Sequence, residues 1–331
     1  MKIFAGILVS IMAVLIITVG TIFGLRIYNT FEHGLEENTT INHHRYTQYE
    51  DAEGAFTTTH FTHERANGLH LVPDESNGNS EPVVLLGGSE GSINFEFATT
   101  LADAGFEVYT LFYFGGSNQP SKLQHVPIEF FGDFLEYAEL EDTNLTVIGH
   151  EKGAELALIL TNFYDNIDSL VLYDPLTHVF AGLSITLETH SPWAFNEEPV
   201  TYINLRDANI MTLGRSLLDK AILAPSNFRD VYESALENTN DPEQARIPTA
   251  NFNGPALIFA GADNPKYPGD VFARELGQTM DSAEVHVLEN VGYAFFRTDH
   301  YDDIHVGGSE EANTNARETS LELLIDFLNR N

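Results

Sequence analysis

Between Leu145 and Phe163 an apolar, strand-like run passes into an apolar, helix-like one through Gly149-His150-Glu151-Lys152-Gly153. Few local patterns restrict a fold more. A strand-to-helix turn this sharp needs small residues at its flanks so that the helix can start close to the strand. It holds its apex residue on a strained backbone, where Ser or Cys is normally presented as a nucleophile. Here the apex residue is Glu151. The chain keeps the setting of a covalent catalyst and lacks the usual attacking group.

The surrounding pattern defines the fold class. Residues 56–71 alternate as a hairpin does, and turn residues follow at 74–79. Short apolar runs at 82–86, 106–114, 145–148, 169–173, 256–260 and 284–288 then alternate with helix-like stretches at 95–104, 127–140, 154–163, 269–280 and 316–328. Alternation of this kind predicts an α/β fold, a mostly parallel sheet with helices on both faces. In such sheets ligands bind beyond the carboxyl ends of the strands. Residues 176–253 interrupt the alternation and contain helix-like runs at 214–223 and 226–239. This insertion is either a cap over the site or a peripheral helical layer.

Residues 3–25 are uncharged and mostly apolar, bounded by Lys2 and Arg26. At about 1.5 Å per residue such a helix crosses a hydrocarbon core of ~30 Å. It is longer than the apolar region of a cleaved signal, about 7–15 residues, and no cleavage site follows it. We therefore expect a single-pass anchor over 1–26, a polar tether over 27–54 and one domain over 55–331. Lys2 precedes the span, which favours a cytoplasmic N-terminus and an extracytoplasmic body. With 49 acidic against 16 basic residues the formal charge is -33. A field of that sign repels nucleic acid, which it excludes as a partner, and anionic lipid headgroups, and it disfavours polyphosphate ligands. It suits an exported, soluble domain.

A second turn, Gly87-Gly88-Ser89-Glu90-Gly91, matches G-x-S-x-G and offers Ser89 as a nucleophile. Strand order argues against that choice. Ser89 follows the first buried strand, whereas Glu151 follows the third and has three more behind it. The glycines allow close backbone approach, so Gly88 and Ser89, with the Lys152 backbone, read better as an oxyanion-binding loop.

Several segments together carry a resemblance: Leu86–Gly91, Leu111–Gly115, Gln119-Pro120, Val126–Phe131, Lys152–Leu158, Ser191-Pro192-Trp193 and Gly307-Gly308. In these the chain resembles the acyl-CoA thioester hydrolase/bile acid-CoA:amino acid N-acyltransferase (BAAT) C-terminal family, in order over residues 80–331. The resemblance implies an α/β-hydrolase fold with a Ser or Cys nucleophile, an Asp and a His. The family's N-terminal β-sandwich has no counterpart here; the anchor, tether and hairpin stand in its place. Carried over position by position, the nucleophile falls on Glu151, the acid on Asn264 (or Asp263 after a one-residue slip) and the histidine on Tyr293. All three are substituted.

Carboxylates can act as nucleophiles when a base activates the water that releases the ester. Tyr293, with an ordinary pKa near 10, is a poor base. His300 is the nearest replacement along the chain, and His150 sits beside the apex. Against this, Glu151 could pair with Lys152 or with the positive end of the following helix. Tyr293 could pack as an aromatic plug, and Asp263-Asn264-Pro265 could be a turn. His43-His44 and His60-x-x-His63 lack the further ligands of a metal site. No metal or cofactor is expected. The sequence reading is thus a degenerate hydrolase-fold protein that binds an acyl or small hydrophobic ligand; its rival is an active thioester or ester hydrolase with a rearranged site.

Overall fold

The structure is a computed structural model that describes residues 2–33, 49, 53–78, 81–89, 91, 94–182, 189–224, 227–293 and 306–331. His43, His44 and His300 lie outside the described residues.

Helix α1, Lys2–His33, contains the apolar run and continues past Arg26 into the segment expected to be tether. Within it Ser10–Phe31 is long and apolar enough to cross a membrane, and apart from Asn29 near its end it is not buried by the rest of the protein. The hairpin follows as β1 (Phe56–His63) and β2 (Ala66–Pro73), paired antiparallel. The expected strands are β3 (Val83–Leu86), β4 (Val108–Phe112), β6 (Leu145–His150), β7 (Ile167–Tyr173), β10 (Ala256–Gly261) and β11 (Ala283–Leu288). They form one sheet with the hairpin, in the order β1-β2-β4-β3-β6-β7-β10-β11. From β4 to β11 every pairing is parallel. Strands β3, β6 and β10 are buried along their whole length, which is why they read as unbroken apolar runs rather than alternating ones.

Helices cover both faces. On one side α3 (Phe130–Ala138), α4 (Lys152–Leu160) and α7 (Gly269–Thr279) pack through Phe131, Phe134, Leu156 and Leu276. On the other α2 (Phe95–Asp103) and α8 (Glu310–Arg330) pack through Phe97, Leu101, Leu324 and Phe327. The closing helix starts at 310 rather than 316 because the Ser309 hydroxyl caps it, accepting from the Ala312 N–H. Residues 176–253 carry α5 (Ile210–Ala221) and α6 (Arg229–Asn238). Part of this insertion packs beside the strand ends, where Phe180 and Tyr232 meet Tyr267, Phe272 and Tyr293 in a third apolar cluster. A small second sheet was not expected: β5 (Val126–Pro127), β8 (Trp193–Phe195) and β9 (Glu198–Pro199).

Candidate functional site

The turn after β6 is as tight as the sequence suggests. A Cβ on Gly153 would lie 2.2 Å from the Leu86 carbonyl oxygen, and one on Gly149 2.4 Å from that of Gly153. Both glycines are required for helix α4 to start against β3 and β6. Glu151 at the apex has φ 51° and ψ -109°, a conformation that costs a non-glycine residue of order 1–3 kcal/mol. Its N–H donates to the Tyr173 carbonyl at 2.9 Å, and its own carbonyl accepts the Glu155 N–H at 2.8 Å. The backbone is therefore that of a nucleophile turn, held from both sides.

The Glu151 side chain is fully buried and surrounded by donors. Oε1 accepts from the Lys266 ammonium at 2.6 Å. Oε2 accepts from the Ser89 hydroxyl at 2.9 Å, the Ser89 N–H at 3.3 Å and the Tyr267 hydroxyl at 2.9 Å. Lys266 also reaches the Tyr293 hydroxyl at 3.3 Å and lies 4.3 Å from the centre of that ring. Burial alone would raise the Glu151 pKa. The Lys266 charge and hydrogen bonds from Lys266 and Tyr293 outweigh it and hold the carboxyl down at about 2. Burial and the Glu151 charge together push the Tyr267 phenol well above its ordinary range, so it remains a donor.

Lys266 and Tyr267 did not stand out in the sequence, yet they contribute most of the cage. Ser89 enters it as a donor to Glu151. Gly88 shapes the same loop, its carbonyl and that of Gly87 both accepting from the buried Tyr113 hydroxyl. Asn264 and Tyr293 also converge here. The Asn264 amide oxygen accepts the backbone N–H groups of Lys266 and Tyr267 at 2.8 and 3.1 Å, bending the chain so that both side chains face Glu151. Asp263, the alternative acid, is exposed on the outer side of that turn and takes no part. His150 is buried and stacks on Tyr293 with ring centres 5.2 Å apart. Burial pushes its pKa down to about 4, with Lys266 adding to the effect and Glu151 opposing it, so the ring is neutral at pH 7.

Of the two alternatives for Glu151, the pairing with Lys152 does not occur. Lys152 is buried on the other side of the turn, where its ammonium meets Glu155 at 2.7 Å and the Phe180 carbonyl at 2.7 Å. Glu155 accepts in addition from the Trp193 indole N–H at 2.7 Å and the Phe180 N–H at 3.2 Å. Adjacent helical positions point in different directions, whereas positions three apart share a face. His60 contacts the Asn67 amide at 3.0 Å and His63 lies 3.8 Å from Glu136, so each has a partner in or beside the hairpin.

Asp174, at the end of β7, is a second acid the sequence did not single out. It is fully buried, and burial pushes its carboxyl up to about 7 against the nearby Asn264 amide and a hydrogen bond from the Gly261 N–H. A carboxyl raised on folding favours the native state while protonated. That contribution is complete below the ordinary value of 3.8 and is lost as pH rises through about 7. Asp174→Asn, which imitates the protonated group, should gain on the parent steadily between pH 4 and pH 7. Denaturation midpoints measured across this range check the expectation, and a pH-independent difference would refute it.

The fold and turn define the class: this is an α/β-hydrolase fold. A 2-hydroxy-6-oxo-6-phenylhexa-2,4-dienoate hydrolase from Rhodococcus sp. strain RHA1 superposes with a TM-score of 0.50 at 17% identity, covering 83% of this chain and 99% of that one. By sequence the chain is similar to acyl-coenzyme A thioesterases. It is 30% identical to acyl-coenzyme A thioesterase 6 of Mus musculus over 62% of this chain and 45% of that protein. With the human counterpart it shares 24% identity over 65% and 47%. The chain thus spans about half the length of the curated relatives it matches. No family model matches it.

Proposed function

We propose that this chain is a membrane-anchored relative of the acyl-coenzyme A thioesterases whose three triad positions, Glu151, Asn264 and Tyr293, have been given over to structure. In this reading the protein binds an acyl or small hydrophobic ligand beside the aromatic cluster and does not turn it over. Helix α1 spans the membrane, and the domain lies outside the cytoplasm.

One observation carries the proposal: the Ser89 N–H and hydroxyl, the Tyr267 hydroxyl and the Lys266 ammonium are all spent on the Glu151 carboxylate. An oxyanion hole works by keeping N–H groups empty until charge develops on the substrate. The Ser89 N–H instead donates to a carboxylate that is charged throughout. The same contacts tie up the lone pairs that Glu151 would use in attack. A base is lacking as well among the described residues that meet the apex, since Tyr267 is held as a phenol and His150 is far too acidic as imidazolium to take protons at pH 7. The site carries permanently the anion that a working hydrolase would meet only in passing.

Purified full-length protein in detergent should show no hydrolysis of an acyl-CoA or a p-nitrophenyl acyl ester above the uncatalysed rate. Glu151→Gln should leave that result unchanged. A long-chain fatty acid should still quench or shift the emission of Trp193, the single tryptophan. Turnover by the parent that Glu151→Gln abolishes would establish the alternative, an ester or thioester hydrolase with Glu151 as nucleophile. Protease added to intact cells should remove the domain; protection would reverse the topology and restore access to cytoplasmic thioesters.

A further inference from the structure

Helix α5 is the one described element of the domain whose apolar side chains face outward as a set. Ile210 is 82% exposed, Met211 78%, Leu217 63% and Leu218 53%. At 3.6 residues per turn these four, with Gly214 and Ala221, fall on an arc of about 120°. Thr212, Leu213, Ser216 and Asp219 lie on the opposite side and are the partly covered ones, with Leu213 packed on the aromatic cluster. Arg215 borders the apolar arc on one edge, and the exposed Lys220 lies beyond Leu213 on the other side. Large exposed apolar faces on a soluble surface mark interaction sites.

The position of this face relative to α1 indicates what covers it. The Asn29 amide, 7% exposed, donates to the carbonyl of Ile222, the residue that ends α5, at 2.8 Å. Asn29 lies near the end of the apolar stretch Ser10–Phe31, between Tyr28 and Phe31, which are 58% and 86% exposed. Exposed aromatic side chains at the end of a span are typical of the membrane–water interface. One end of α5 is therefore fixed at the height where the anchor leaves the lipid.

We propose that α5 lies in the surface of the bilayer that α1 spans, with its apolar arc among the upper acyl chains and Arg215 and Lys220 at the headgroup phosphates. An apolar face with cations to either side is the pattern of helices that rest in the interface. In a protein with 49 acidic residues the two cations stand where phosphates would lie. The helix sits in the insertion beside the Glu151 site, so its docking brings the aromatic cluster next to the membrane. The inference rests on α1 being a membrane span.

The chain has no cysteine, so single cysteines can be placed without removing any. Leu217→Cys, Ile16→Cys in the anchor and Asp142→Cys at the far end of β6 are labelled with an environment-sensitive fluorophore. The full chain is then reconstituted in phosphatidylcholine–phosphatidylglycerol vesicles. The Leu217 and Ile16 probes should emit to the blue of the Asp142 probe and lose most of their emission to lipid carrying a nitroxide near the headgroup. A Leu217 probe that behaves like the Asp142 probe, while Ile16 reports lipid, overturns the inference and leaves the anchor standing. If Ile16 also reports water, both fall. Shielding from lipid nitroxide together with disulfide formation between Leu217→Cys copies would assign the face to a second copy of the chain and overturn it as well.

Discussion

Replacing Lys266 with methionine is expected to cost the fold about 3–5 kcal/mol, the penalty for leaving a buried charge without its partner. Glu151 is fully buried and its low pKa depends first on Lys266 among the groups that lower it. The sign of the pH dependence should change with the substitution. In the parent, Glu151 is held at about 2 against an ordinary 4.5, so it stabilises the fold above pH 4.5 and ceases to do so as pH falls towards 2. Without Lys266 burial dominates, the carboxyl rises, and the variant should weaken further as pH climbs above 4.5. Adding Glu151→Gln to Lys266→Met should recover most of the loss, because the amide oxygen can still accept from Ser89 and Tyr267 while no charge remains. Urea unfolding of the four proteins, followed by Trp193 emission, gives the coupling directly. A single variant within about 1 kcal/mol of the parent would mean that water reaches the pair, and the case for a sealed site would fail.

The sequence made the sheet legible because parallel strands buried on both faces have an unmistakable composition. It also marked the tight turn after β6, since Gly149 and Gly153 are demanded by backbone contacts that no other residue tolerates. What it hid was the partner of Glu151. Lys266 is 115 positions away in a turn read for its acid, and nothing local distinguishes a lysine that will be buried from one that will be solvated. A different lapse concerned Lys152. Its partner, Glu155, stood three residues ahead on the same helical face, and helix geometry alone favoured it over the adjacent Glu151. The Ser309 cap was likewise visible before two acidic residues, yet weak apolar periodicity at the start of α8 obscured it. The strands β5, β8 and β9 are two or three residues long and pair across distant segments, so no period could have announced them. Hydropathy marked the apolar run of α1 but not the helix's end, because a helix does not stop where its apolar residues do.

The second large effect is expected at Glu155, and it should differ in kind. Glu155→Met removes the acceptor of three buried donors at once: the Lys152 ammonium, the Trp193 indole N–H and the Phe180 N–H. Burial raises the Glu155 carboxyl and lowers the Lys152 amine, opposed in each case by the other's charge, so each group depends on its partner to stay ionised. A loss of about 3–5 kcal/mol is expected from the charge alone. Here the double variant with Lys152→Met should not close the gap. The charge penalty disappears, but the indole and the Phe180 amide remain unsatisfied, at about 1–3 kcal/mol each. Emission from Trp193 should shift as the indole loses its partner, in the single and the double variant alike. Full recovery in the double variant would reduce Glu155 to a counterion. Incomplete recovery would identify it as the joint where helix α4 holds Trp193 and the Phe180 segment against the sheet, on the opposite side of the turn from the Glu151 cage. The apex of this fold would then be fastened by two buried acids, each meeting a lysine, where a hydrolase needs one side of the turn open to its substrate.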